Sequence, residues 1–277
     1  MRFRLIFILF NVVLVISFLV IYLMPLVILG WDYTKMFWTN NWFLPIIFVF
    51  IIGVLNLYFA LNWRLFKLLE HEDWNGLVVY LETQVYKRHR LRKQYIRILA
   101  NGYLVNSRNE DIGKLASYLK EKKPRYLVYF GLLFGIPHLL QNDPNAMESY
   151  FAALLEVRKL PNRNWIEWNH AFSLVMLKRH DEATNELVGV ANREKEPVLL
   201  LLCIYLLDAF ANGNREAERL VTEGKKALKG RFTPATWQRA VESAKDNVEV
   251  VILTKLLGEA TEWLFSFGAT GDAEAVH

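Results

Sequence analysis

Six histidines and one cysteine are the first residues to weigh for chemistry. His71, His89, His138, His170, His180 and His277 form no H-E-x-x-H, which excludes a zinc-protease helix. Glu167-Trp168-Asn169-His170 is an E-x-x-H, the spacing by which one helix turn offers a carboxylate and an imidazole to a di-iron centre. Such a centre needs a second copy and two further glutamates, and the chain has one copy. The pair is therefore expected on the surface of its helix. Cys203 is the single cysteine, so no intramolecular disulfide or paired-cysteine metal site can form, and it lies within the apolar run Val198–Ile204. With no positive charge beside it to favour the thiolate, it reads as a buried, inert thiol. No Gly-rich phosphate loop, nucleophile elbow or Cys/His pair occurs, so no catalytic residue, cofactor or metal is assigned.

Two other groups of residues can do physical work. Lys87-Arg88-His89-Arg90-Leu91-Arg92-Lys93 is the densest charge run. It is either a solvated loop between helices or a lipid contact, with Lys87, Arg88, Arg90, Arg92 and Lys93 on anionic headgroups at about 1 kcal/mol each. The run is short and the chain's net charge is +5, so no nucleic-acid partner is expected. Trp165, Trp168 and Phe172 are the best candidate anchors for a protein partner, although core packing is the favoured reading of each.

The elements that must position these groups begin with a membrane hairpin, residues 1–63. Before Arg64 the only charged side chains are Arg2, Arg4, Asp32 and Lys35. Residues 5–29 and 43–63 are uncharged and apolar, each long enough for a hydrocarbon core that takes about 20 residues. The first exceeds the ~7–15 residues of a signal-peptide core, and Leu29-Gly30-Trp31-Asp32 is a poor cleavage site, so a retained span is expected. Pro25 is placed to kink its last turn. The connection Gly30–Trp42 holds Trp31, Tyr33, Phe37, Trp38 and Trp42, rings that favour the headgroup layer. Lysine and arginine cluster on both outer flanks, while the connection has only Lys35. The positive-inside rule then puts both termini in the cytoplasm, in a bacterial-type inner membrane. Asn56 and Asn62 either bridge helices or pair with backbone. The second span runs on through Arg64–Glu70 without Gly, Pro or Ser, as one helix that leaves the bilayer and holds the helical array beyond it at a fixed angle and height.

From Leu65 on, apolar residues recur at helical spacing. Turn clusters fall at Glu72-Asp73, Asn106–Asp111, Asn142-Asp143-Pro144, His180-Asp181 and Asn212-Gly213-Asn214. A small residue comes after each, at Gly76, Gly113, Ala146, Ala183 and Ala217, with spacings of 37, 33, 37 and 34. Close packing of the second helix of each pair on the first would need it. This period of helix–turn–helix units resembles the tetratricopeptide-repeat family. The best unit, Trp165–Arg193, matches with Ala171, Leu174, Ala183 and Leu187. Asp143–Leu155 matches with Ala146, Tyr150 and Ala153, and Asn214–Ala227 with Ala217, Val221 and Gly224. Lys120 and Pro137 depart from the pattern. Val198–Leu207 is too short to span and reads as a buried helix; Tyr126–Leu140 reads as a buried helix or a membrane-surface segment.

The expected fold is all-α: two transmembrane helices, a tetratricopeptide-like α-solenoid over 64–232, capping helices over 233–268 that start at Thr233-Pro234, and a disordered tail at 269–277. In the last helix, Val250, Val251, Leu253, Leu257 and Trp263 are expected to face inward. The layout and the resemblance imply a membrane-anchored scaffold or adaptor that binds a protein partner, and the missing catalytic motifs argue against an enzyme. A structural subunit of a flagellar or secretion-type envelope machine is the alternative, and an enzyme or cofactor carrier a third reading.

Overall fold

The computed structural model describes residues 3–141, 143–210, 213–245 and 248–266. The expected tail 269–277, together with Asn142 and Asn212 of the turn clusters, lies outside them. Among the described residues the fold is all-α, with no strand. The chain groups into two compact units, Met1–Arg108 and Asn109–His277, so the boundary falls well beyond the end of the second apolar run.

In the first unit, α1 (Phe3–Leu29) and α3 (Phe43–Glu70) are long and apolar enough to cross a membrane. No residue of the most apolar window of either is buried, which leaves a continuous apolar surface suited to lipid rather than water. Leu5, Val20, Val27, Phe50 and Leu61 are all exposed. The two helices meet through stacked Phe18 and Phe48 (centroids 3.9 Å apart) and through Phe7 and Phe59 (4.4 Å). Asn56 Nδ2 donates both to Ile52 O and to Asn11 Oδ1 of α1, each at 2.9 Å, so the backbone and interhelical readings of this residue both hold. In place of an open connection there is a helix, α2 (Trp31–Asn40). Its Trp38 stacks on Tyr22 and donates to Tyr22 O at 3.2 Å, folding α2 back on α1.

α3 runs unbroken through Trp63 to Glu70, as its lack of helix breakers predicts. Glu72, at φ 50°, turns the chain, and Asp73 caps α4 (Trp74–Glu82) by accepting from Gly76 N–H at 2.9 Å. A π-helical turn, Thr83–Lys87, and then α5 (Lys93–Val105) complete the unit.

The second unit comprises α6 (Asn109–Lys122), α7 (Arg125–Tyr129), α8 (Gly131–Leu140), α9 (Pro144–Leu155), α10 (Arg163–Met176), α11 (His180–Arg193), α12 (Pro197–Phe210), α13 (Arg215–Arg231), α14 (Pro234–Ala244), α15 (Val248–Ile252) and α16 (Thr254–Phe265). Every turn cluster that was expected opens a helix. Asp143 caps α9, Asn214 caps α13, and Thr233 forms a capping box with Thr236 ahead of Pro234. From α8 to α13 each helix packs on the next. α12 is the buried centre: Val198, Leu199, Leu201 to Ile204, Leu206 and Leu207 are all in the core, and α11, α13, α14 and α16 all pack on it.

Three expectations need correction. α14 and α16 pack on α12, as a cap on the preceding helices should, but α15 also packs on α8, a contact that the end cap of a linear stack would not make. Val251 is exposed and Trp263 only half-buried, while Val250, Leu253 and Leu257 are buried as expected. The small residues do not share one role. Ala183 and Ala217 are buried, but Gly113 has open space where a Cβ would stand. Close approach falls at Gly224 of α13 against Ile204 of α12, as the repeat pattern expects, and also at Gly102 against Val78 and at Gly131 and Gly135 of α8 against Leu154 and Phe151 of α9. Phe130 to Pro137 are buried, so the 126–140 stretch is a core element, broken between α7 and α8 at Phe130.

Candidate membrane interface

Three elements of the first unit position the basic run. α3 sets the height: Phe43 to Asn62 is about 28 Å of helix at ~1.5 Å per residue, close to the ~30 Å of a hydrocarbon core. Asn62 therefore lies where the apolar run ends. It is buried, with its Nδ2 on Tyr58 O (2.8 Å) and its Oδ1 facing the hydroxyl of buried Tyr95 at 3.5 Å. Tyr95 is in the first turn of α5, so this contact ties the helix that follows the basic loop Arg88–Arg92 to the end of the apolar run. Arg64 of α3 lies over the Tyr80 ring of α4, 5.3 Å from its centre.

The π turn swings the chain out of α4. Arg88 N–H donates to Thr83 O (3.0 Å), Arg90 N–H to Gln84 O (2.9 Å), and His89 takes φ 51°. Below the loop, Glu82 Oε1 accepts from the Tyr103 hydroxyl (3.1 Å) and from Arg108 Nη2 (2.9 Å), which ties α4 to α5. Burial is the main cause pushing the Tyr103 phenol far above its usual value, so it stays a neutral donor.

Lys87, Arg88, Arg90, Arg92 and Lys93, with Arg97 beyond them, are all exposed. Arg92 also covers the Tyr95 ring, 5.6 Å from its centre. No acidic residue occurs between Lys87 and Arg108. The arrangement is a cationic rim beside the end of an apolar helix, suited to a layer of anionic headgroups worth about 1 kcal/mol per cation.

The three aromatic candidates lie in the second unit, on α10. Trp165 and Trp168 are buried, and Phe172, half-buried, stacks on Trp168 at 5.2 Å. The favoured core-packing reading therefore holds for Trp165 and Trp168, and their candidacy as exposed anchors falls. Trp168 and Phe172 are one helical turn apart on the face that α10 turns into the core, and Trp165 is pinned by Glu196, which accepts its indole N–H at 2.9 Å. The E-x-x-H pair is not on the surface either. Glu167 is buried, held by Arg163 Nε at 2.9 Å and by Arg193 of α11. His170 Nδ1 is 2.7 Å from Glu186 of α11, and its Nε2 is 3.9 Å from Glu148 of α9. Cys203 is buried, and burial pushes its thiol well above the usual value, as an inert thiol requires.

A protein of Treponema pallidum (strain Nichols), described as an uncharacterized protein, is 24% identical over 258 residues, 89% of this chain and 81% of its own length. No solved structure matches. The family described as "Uncharacterised Treponema protein" matches residues 111–266, more than half the chain and all within the second unit. The chain belongs to that family.

Proposed function

We propose that this protein is a membrane-anchored scaffold whose tetratricopeptide-like helix pairs bind a protein partner at the cytoplasmic face of a bacterial-type inner membrane, with both termini inside. One observation carries this reading. α3 passes without a break from an apolar, unburied span into a helical unit whose exposed cations gather beside the span's end. A chain built this way has a fixed end in the bilayer and a large helical surface outside it. Stacked helix pairs offer extended surfaces to peptides and helices rather than enclosed sites. The cationic rim favours the leaflet side that carries anionic lipid and lysine- and arginine-rich segments.

Affinity purification of the full chain from mild, uncharged detergent tests the reading. One dominant soluble client is the expected result. A stable multi-subunit membrane particle would instead make the chain a structural subunit of an envelope machine. A coloured or metal-bearing monomer would make it a cofactor carrier.

A further inference from the structure

A groove of about 730 Å³ opens on the second unit between α12, α13 and α16. Its chemistry is set by Asp208 of α12, by Thr222, Lys225, Lys226 and Lys229 of α13, and by Trp263 of α16. The indole is held firmly. Its N–H donates to Asp208 Oδ2 at 2.8 Å, Tyr205 meets the ring near edge-on at 5.7 Å, and the Lys225 ammonium stands 4.0 Å from the ring centre. The lining therefore sets three ammonium groups against one carboxylate, and that carboxylate is already engaged by the indole. Burial, and then the neighbouring Lys229, hold Lys225 below the usual lysine value, against the pull of Asp208. Cations in the last turn of a helix offset its dipole, which accounts for Lys229 and Arg231. It does not account for Lys225, which lies more than a turn earlier and is drawn into a partly desolvated recess beside a like charge.

We propose that this groove is the docking site for an acidic segment of a partner protein. The assignment rests on the scaffold reading and names the chemistry of the partner. The ammonium groups track along one helix rather than converging on a point. Lys225 and Lys229 are about 6 Å apart in helical rise, close to the ~6.6 Å between alternate side chains of an extended peptide. Trp263 and Val221 supply an apolar wall for the side chains between them.

The test uses the full chain in uncharged maltoside micelles and a fluorescein-labelled ten-residue peptide of alternating Glu and Leu, monitored by anisotropy. The expected result is binding about tenfold tighter than that of the Gln/Leu counterpart, and weakened by added salt. The double variant K225Q/K229Q, checked for native helicity, should weaken binding by about tenfold, and Trp263→Phe should weaken it less, by releasing Asp208. Equal binding of the two peptides, or unchanged binding by the double variant, overturns the proposal. So does pyrophosphate occupying the groove more tightly than the peptide, which would make it a small-anion site. A photo-crosslinker at Lys226 in intact cells separates this proposal from the scaffold reading. If the co-purifying client crosslinks from other positions on the unit and not from Lys226, the groove assignment falls and the scaffold stands. If no client co-purifies at all, the scaffold reading falls and takes the partner with it.

Discussion

Glu167 and His170 are one turn apart on α10 yet answer to different helices. Glu167 joins Arg163 on its own helix to Arg193 of α11, with the carboxylate buried and both guanidinium groups reaching water. Glu167→Gln keeps the shape and removes the charge, so it should cost about 1–2 kcal/mol, read as a lower unfolding midpoint in detergent. His170 is a pH-dependent link. Its hydrogen bond to Glu186 raises its pKa above the usual value, helped by the charges of Glu186 and Glu148 and opposed by burial and by Arg179. A raised histidine pKa gives stability that is full below the unfolded value of about 6.5 and fades as pH rises through the folded one. Unfolding midpoints of the wild type should therefore fall over that window relative to those of His170→Gln, and parallel pH profiles would remove the link. The E-x-x-H spacing was legible in the chain; its partners were not. Arg193, Glu186 and Glu148 come from other helices, and Asn11 meets Asn56 across 45 residues, distances over which local periodicity is silent. Trp165 and Trp168 were legible as aromatic residues, but which face of α10 turns inward is decided by α9 and α11.

At the scale of elements, helix starts were the most legible feature, because a capping side chain three residues ahead of an orphan N–H is a local event. Asp73, Asp143, Asn214 and Thr233 all cap as their types predict. The unbroken α3 was legible for the same reason. α2 was missed, because its aromatic residues suit an interfacial loop equally well, and its folding back through Trp38 and Tyr22 depends on α1. The glycines separate local from tertiary causes. Gly113 sits exposed in α6 with open space at its Cβ position, so Gly113→Ala should stabilise by about 0.5–1 kcal/mol. At Gly135 an added Cβ would come within 2.8 Å of Phe151 Cε1 on a buried ring, so Gly135→Ala should destabilise by about 1–3 kcal/mol. Thermal unfolding of the two variants side by side checks both signs, and equal shifts would refute the packing account. The same reasoning extends to α3. A flexible Gly-Ser insertion after Arg64 should let a spin label at position 90 lose its headgroup depth in anionic bilayers. An unchanged depth would mean that Tyr95 and Asn62 hold the loop without the tail of α3.

At the scale of the whole molecule, the family match lies within the second unit, while the similarity to the Treponema pallidum protein takes in 89% of the chain and so reaches into the first. The repeat spacing foretold where helices start in the second unit but not that α15 would return to α8, a contact between segments more than a hundred residues apart with no local signature. Membrane sidedness is likewise a property of the whole chain, argued only from how lysine and arginine divide between the flanks. The native cysteine makes it measurable. Cys203 is buried and its thiol is held protonated, so the wild-type chain should react little with a maleimide that does not cross membranes. Two single-cysteine additions then report opposite faces: Thr39→Cys on exposed α2, and Arg90→Cys in the exposed basic loop. In intact spheroplasts Thr39→Cys should label and Arg90→Cys should not, and permeabilising the cells should restore labelling at position 90. The reverse pattern would put the basic loop on the outer face, away from the anionic cytoplasmic leaflet. The headgroup role of Arg88, Arg90, Arg92 and Lys93 would then lose its electrostatic basis, and any partner would have to be sought outside the cytoplasm.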